Sequence, residues 1–124
     1  MLAFHQIPDT NILEFELDGA FKRDDFDRLA VMADAIIEEH GAIKMIEVIK
    51  HIGKIQPSAL WADLKWTPRH LKYMTHLAVV ADQKWIGWIV GPMRAFIDAE
   101  VHSFHLDEIE DARRWIAESE ESVA

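Results

Sequence analysis

Any catalytic or metal chemistry in this chain would have to come from its seven histidines, four serines and 22 acidic residues, since it has no cysteine. A metal site needs its ligands at fixed spacing, such as one helical turn apart or on the same face of a strand. His102 and His105 are three apart on what reads as a strand, so their side chains leave opposite faces. His70 and His76 flank a helix end, and His5, His40 and His51 have no carboxylate at ligand spacing on a shared helical face. With no H-E-x-x-H motif and no facial triad, no metal ligand is assigned. Ser58, Ser103, Ser119 and Ser122 lie in no G-x-S-x-G elbow, and thiolate nucleophiles and disulfides are excluded. Asp24, Asp25 and Asp27 open a helix, where acids suit the dipole better than a catalytic pair. Asp63 and Lys65, two apart, cannot share a helical face. No glycine-rich loop is present to cradle a phosphate. The expectation is a protein that is not an enzyme and needs no cofactor.

Binding chemistry is better represented. From Lys84 the chain reads K-W-I-G-W-I-V-G-P-M-R-A-F, a helix that Asp82 can cap. At a helical pitch Trp85, Ile86, Ile89, Val90, Met93 and Phe96 crowd one side and Trp88 flanks them. The resulting apolar arc, roughly 200°, is about twice the width a core-facing stripe needs. Gly87, Gly91 and Pro92 give such a helix places to bend. Three uses fit it: ordinary core, a subunit interface, or a movable lid that meets an apolar ligand or a membrane. In the last case Lys65, Lys72, Lys84 and Arg94 would meet anionic headgroups. Trp61 and Trp115 sit on helical stripes and are expected in the core, whereas Trp66, beside Lys65 and near Pro68, is the candidate for a surface position.

Charge supports a polarised surface. Residues 1–43 carry 3 basic and 10 acidic side chains, a net −7, and residues 95–124 carry 2 and 9, again −7. Residues 44–94 carry 8 basic and 3 acidic side chains, a net +5, together with four of the five tryptophans. The overall charge of −9 argues against nucleic acid as a partner. Residues 1–10 lack a signal-peptide pattern and no apolar run approaches the ~18 residues of a membrane span, so a soluble cytoplasmic protein is expected, at most peripheral at the inner membrane surface.

The elements that must position these residues follow from periodicity. Leu2–Ile7 and Ile12–Leu17 read as strands around the turn Pro8–Asn11, with Gly19 ending the second. Phe26, Leu29, Ala30, Ala33, Ile36 and Ile37 make a helical stripe that Gly41 terminates. Ile43–Ile49 and Leu77–Ala81 are nearly continuous apolar runs, the mark of strands covered on both faces. Pro57 suits a first helical position, and Pro68 is expected to break or restart that helix, with Leu71 on the continuation. After the tryptophan helix, Glu100–Leu106 makes a last strand, and Asp107 and Glu110 frame a capping box for a helix through Trp115. The order β-β-α-β-α-β-α-β-α predicts a mostly parallel α/β sheet with an antiparallel edge strand.

The segments A-L-W-A-D-L-K-W from Ala59, H-L-A-V-V-A-D-Q-K-W from His76 and F-H-L-D-E-I-E-D-A-R-R-W-I from Phe104 resemble the SpoIIAA-like proteins. These are small bacterial domains with a STAS-type fold, related in shape to CRAL-TRIO lipid-carrier domains. The resemblance implies a single-domain STAS-like sandwich over residues 1–117, followed by a frayed acidic tail, 118–124. Regulatory STAS proteins that antagonise anti-sigma factors carry a phosphorylatable Ser after an Asp, at the start of the helix behind the third strand. Here Pro57 falls at that place, Gln56 replaces the acid, and the neighbouring Ser58 reads as an ordinary first-turn residue. The resulting expectation is a non-enzymatic binding module for a lipid or other apolar ligand, associated peripherally with membrane through the tryptophan helix. The alternatives are a protein-interaction module using Gln56–Ala59, or a homodimer joined by the tryptophan helix.

Overall fold

The computed structural model describes residues 2–82 and 99–119. Its first two strands, β1 (Leu2–Gln6) and β2 (Ile12–Phe21), form the expected antiparallel hairpin, with Phe4 opposite Phe15 and His5 opposite Glu14. Asp9 takes the left-handed conformation (φ 62°) that a short polar side chain tolerates. Thr10 Oγ1 donates to Ile7 O at 2.8 Å, and the buried Asn11 donates from Nδ2 to Ala42 O at 3.2 Å. The turn is thereby fastened to the entry of the next strand.

Gly19 does not end β2. The strand passes through it, with φ 104° and register shifts on either side. A Cβ placed on Gly53 of the neighbouring strand would lie 3.0 Å from the Gly19 carbonyl carbon. Two facing glycines therefore let the backbones meet across a bulge, and β3 (Ile43–Ile55) continues past Ile49 as a result. Between β2 and β3 runs α1 (Arg23–His40), which ends on Gly41 at φ 79° with its N–H bonded to Ile37 O at 2.7 Å.

The second helix, α2 (Pro57–His70), starts at Pro57 as expected but runs through Pro68 and only then tightens into a 3₁₀ turn at Leu71–Tyr73. His70 holds this last turn in place. Its Nδ1 lies 2.6 Å from Trp66 O, its Nε2 lies 3.0 Å from Asp34 Oδ1 on α1, and its ring stacks on Trp66. Those contacts offset the one backbone bond that proline forfeits. After β4 (Met74–Val80) and β5 (Glu100–Phe104), a 3₁₀ turn at Leu106–Glu108 leads into α3 (Ile109–Glu118). This turn moves the capping contacts two residues ahead of their expected place. Glu108 Oε1 accepts the His105 N–H at 2.8 Å, and Asp82 Oδ1 accepts the Leu106 N–H at 2.9 Å.

The sheet order is β1-β2-β3-β4-β5, antiparallel in the first pair and parallel in the other three. This is the expected α/β sheet with an antiparallel edge strand. On one face Leu13, Met45, Leu77, Val79 and Val101 pack with Leu29, Ala33 and Ile36 of α1 and with Trp66 of α2. On the other, Ile12, Ile46, Val48, Ala78 and Val80 pack with Ala112, Trp115 and Ile116 of α3. Alternate residues of β3 and β4 feed opposite cores, which is why their sequence shows no polar stripe.

An ion pair adds direction to the α3 contact. Arg113 donates from Nε and Nη2 to the two carboxylate oxygens of the buried Glu14, both at 2.8 Å. These hydrogen bonds outweigh burial and hold the Glu14 carboxyl below its ordinary 4.5. His76, buried on the same face, is pushed below its ordinary 6.5 by desolvation and by the Lys44 ammonium. Both groups therefore bind protons more weakly folded than unfolded, so stability is full near neutrality and is lost as the pH falls. Urea denaturation should show the loss beginning below pH 6.5 through His76 and continuing below pH 4.5 through Glu14. Glu14→Gln should cost about 2 kcal/mol at pH 7, less than a fully buried pair, because the Arg113 side chain is 43% exposed. The same variant should shrink the loss below pH 4.5; an unchanged acid limb would show that the pair does not set it.

Candidate functional site

The core-facing side of α2 carries Ala59, Trp66 and His70, and this decides where the tryptophans go. Trp66 follows Lys65 by 100° around the helix, so an outward lysine turns the indole inward. Trp66 is accordingly half-buried, stacked on His70 at 3.9 Å and edge-on to Phe26 at 6.3 Å, not at the surface as its neighbours suggested. Its buried Nε1–H finds no acceptor among the described residues. Trp61 is the converse. Expected in the core, it is 61% exposed, because its position lies opposite the Ala59–Trp66 side.

An exposed tryptophan leaves a large apolar surface in water and asks for a partner. Around α2, Pro57, Ser58, Trp61, Lys65 and Arg69 are all exposed, and at helical pitch they fall within an arc of roughly 120°. That arc holds no acid. Lys65 Nζ sits 5.4 Å from the centre of the Trp61 ring, a cation–π approach. Lys72 stands exposed in the following 3₁₀ turn, with Nζ 5.0 Å from the Tyr73 ring centre.

The start of this helix is fixed to its neighbour. Gln56 N donates to Phe21 O at 2.9 Å, its Oε1 accepts the Arg23 N–H at 2.9 Å, and Arg23 Nη1 reaches Ser58 O at 3.5 Å. Gln56, standing where a regulatory STAS domain would carry an acid, thus ties the carboxyl ends of β2 and β3 together. Two of the acids that open α1 are paired locally, Asp27 with Arg23 at 2.9 Å and Asp25 with Arg28 at 2.6 Å, which accords with a helix-start role.

Of the residues singled out in the sequence, Pro57, Ser58 and Lys65 come together on the α2 arc, and Lys72 lies just beyond its end. Lys84, Trp85, Gly87, Trp88, Ile89, Val90, Gly91, Pro92, Met93, Arg94 and Phe96 lie outside the described residues. Trp61 and Arg69 were missed as surface residues. The signal was present: Trp61, Lys65 and Arg69 are spaced by four, one helical stripe, once Pro57 fixes the helix start. Among the described residues no three His, Asp or Glu side chains converge as metal ligands, and no helix is long and apolar enough to cross a membrane.

These features define a single-domain α/β sandwich that presents a basic-aromatic helix face. A family model described as SpoIIAA-like matches residues 12–117, and the chain belongs to the SpoIIAA-like family. Among solved structures it is similar to an uncharacterised protein with a SpoIIAA-like fold from Shewanella loihica PV-4. The likeness has a TM-score of 0.69 at 19% identity and covers 94% of this chain and 92% of that one. At that identity it establishes the fold alone. No curated protein matches the chain.

The opposite placements of the two α2 tryptophans make a direct comparison. In urea denaturation Trp61→Ala should change stability by less than about 0.5 kcal/mol, whereas Trp66→Ala should cost about 3 kcal/mol or more. Equal losses would put Trp61 in the core.

Proposed function

We propose that the domain is a non-enzymatic binding module that docks peripherally on an anionic membrane surface, with the exposed arc of α2 as one contact. The observation that carries the reading is Trp61 standing in solvent beside Lys65, with Arg69 on the same arc and Lys72 after it. An indole partitions into the headgroup region while flanking cations meet lipid phosphates. The Lys84–Phe96 stretch, with Trp85, Trp88, Ile89, Val90, Met93 and Phe96, is the proposed second and more apolar contact, read from its sequence. The same stretch would cover an amphipathic ligand carried from the membrane. Net charge elsewhere in the chain opposes approach, so binding depends on presenting the basic segment, and it should be weak and salt-sensitive.

Vesicle sedimentation separates the contributions. Each basic residue near an anionic surface contributes about 1 kcal/mol, so Lys65→Glu with Arg69→Glu should lower binding to phosphatidylglycerol vesicles by about tenfold or more. Trp61→Ala should weaken binding severalfold to anionic and neutral vesicles alike. Two other outcomes count against the reading. Wild-type protein that ignores anionic vesicles but captures a protein partner through Gln56–Ala59 would make this a regulatory interaction module. A dimer in native mass spectrometry that Trp88→Glu dissociates would make the tryptophan stretch a subunit interface.

A further inference from the structure

At the amino-terminal ends of β4 and β5, on the face covered by α3, a cavity of about 350 Å³ is lined by His76, Glu100, Trp115, Glu118 and Ser119. The size is that of a small-ligand site. Its charged walls are the carboxylates of Glu100 and Glu118, and the last turn of α3 adds the partial negative charge of a helix C-terminus. The chain itself shows what this place accepts. Lys44, only 5% exposed, donates from Nζ to Ser119 O at 2.7 Å. A second buried polar group faces the space. His76 is 7% exposed, its Nδ1 meets Thr75 Oγ1 at 3.0 Å, and its Nε2 stands 3.8 Å from Glu100 Oε2. That separation is beyond hydrogen bonding, and Nε2 has no other partner among the described residues. Trp115 closes the wall, stacked on His102 at 4.2 Å and met by the His76 ring at 5.7 Å.

We propose that this cavity binds an organic cation, the alkylammonium or guanidinium group of a small amine or of a basic side chain, between the Glu100 and Glu118 carboxylates and the Trp115 indole. Its donors would meet the two carboxylates and the His76 Nε2, and an indole beside a cation adds to the attraction. The charged and titratable groups lining the site are His76 from β4, Glu100 from β5 and Glu118 from α3, and Lys44 of β3 and His102 of β5 adjoin it through Ser119 and Trp115. Of these Lys44 is already committed to Ser119 O, and burial together with that ammonium favours the neutral form of His76. Two carboxylates thus face one ammonium, which leaves room for a second cation. Protonating His76 would cancel part of that excess, so binding should weaken as the pH falls below the 6.5 ordinary for histidine.

The test is side-chain NMR of His76 and His102 during titration with N-acetyl-arginine amide, its neutral citrulline counterpart, and n-butylammonium. The arginine compound should shift both histidines saturably, with the citrulline compound at least tenfold weaker. Butylammonium binding as tightly as the arginine compound would mark a free amine as the ligand, and much weaker binding a basic peptide side chain. Glu100 and Glu118 are exposed, so Glu100→Gln with Glu118→Gln should fold normally and lose at least tenfold in affinity. The α2 variants that reduce vesicle binding should leave this titration unchanged, which separates the two proposals. Equal binding of arginine and citrulline compounds, no saturable shift at millimolar concentration, or full affinity in the double variant would each overturn the assignment.

Discussion

The structure depends on burying β3 and β4 on both faces at once. A strand that sends alternate side chains into two cores has no side left for water, so helices must cover the sheet above and below. The crossovers α1 and α2 cover one face, and α3, which follows β5, covers the other. The starts of α1 and α2 therefore come side by side at the carboxyl ends of β2 and β3, where Gln56 and Arg23 join them. The start of α2 is held in place by these bonds. Its outward arc is whatever the buried Ala59 and the half-buried Trp66 and His70 leave over.

Much of this was legible in the residues. The hairpin turn, the α1 stripe with Gly41 after it, the Pro57 helix start and the two apolar strands all signal through local spacing, and the structure keeps them. What was not legible was long-range. Gly19 reads as a strand end until Gly53 is known to lie against it across the sheet. Pro68 reads as a break because the Asp34–His70 contact that sustains the last turn joins two helices far apart in sequence. Trp61 and Trp66 exchange their expected places for a rotational reason. Five residues apart on one helix, they cannot share a face, and composition alone does not say which is inward. The cavity beside Trp115 gathers residues from β4, β5 and α3, and no motif in the sequence brings His76, Glu100 and Glu118 together.

The two faces of the sheet differ in electrostatic character. On the α1–α2 side the apolar core is broad and the polar contacts, such as Asp34 with His70, lie between helices. On the α3 side the cover among the described residues is one short helix of ten residues over a smaller core, and charged groups reach the sheet itself: Glu14 meets Arg113, and Lys44 meets Ser119. A helix that short buries too little area to fix its own orientation, so directional bonds do part of that task. The arginine fork sets the angle of α3 at one point and the lysine bond ties down its end. Between the lysine bond and the strand ends lies the space lined by His76 and Trp115.

The strand order bears on how the chain assembles. Each described strand pairs with the described strand before it in the sequence, so strand order and chain order coincide. Each new strand meets an edge that is already formed, and no early strand has to wait for a late one to slip between it and its neighbour. The loops that must close are each about one crossover long, which keeps their entropic cost small. An assembly route that starts from the hairpin of β1 and β2 therefore needs no rearrangement of strands already paired.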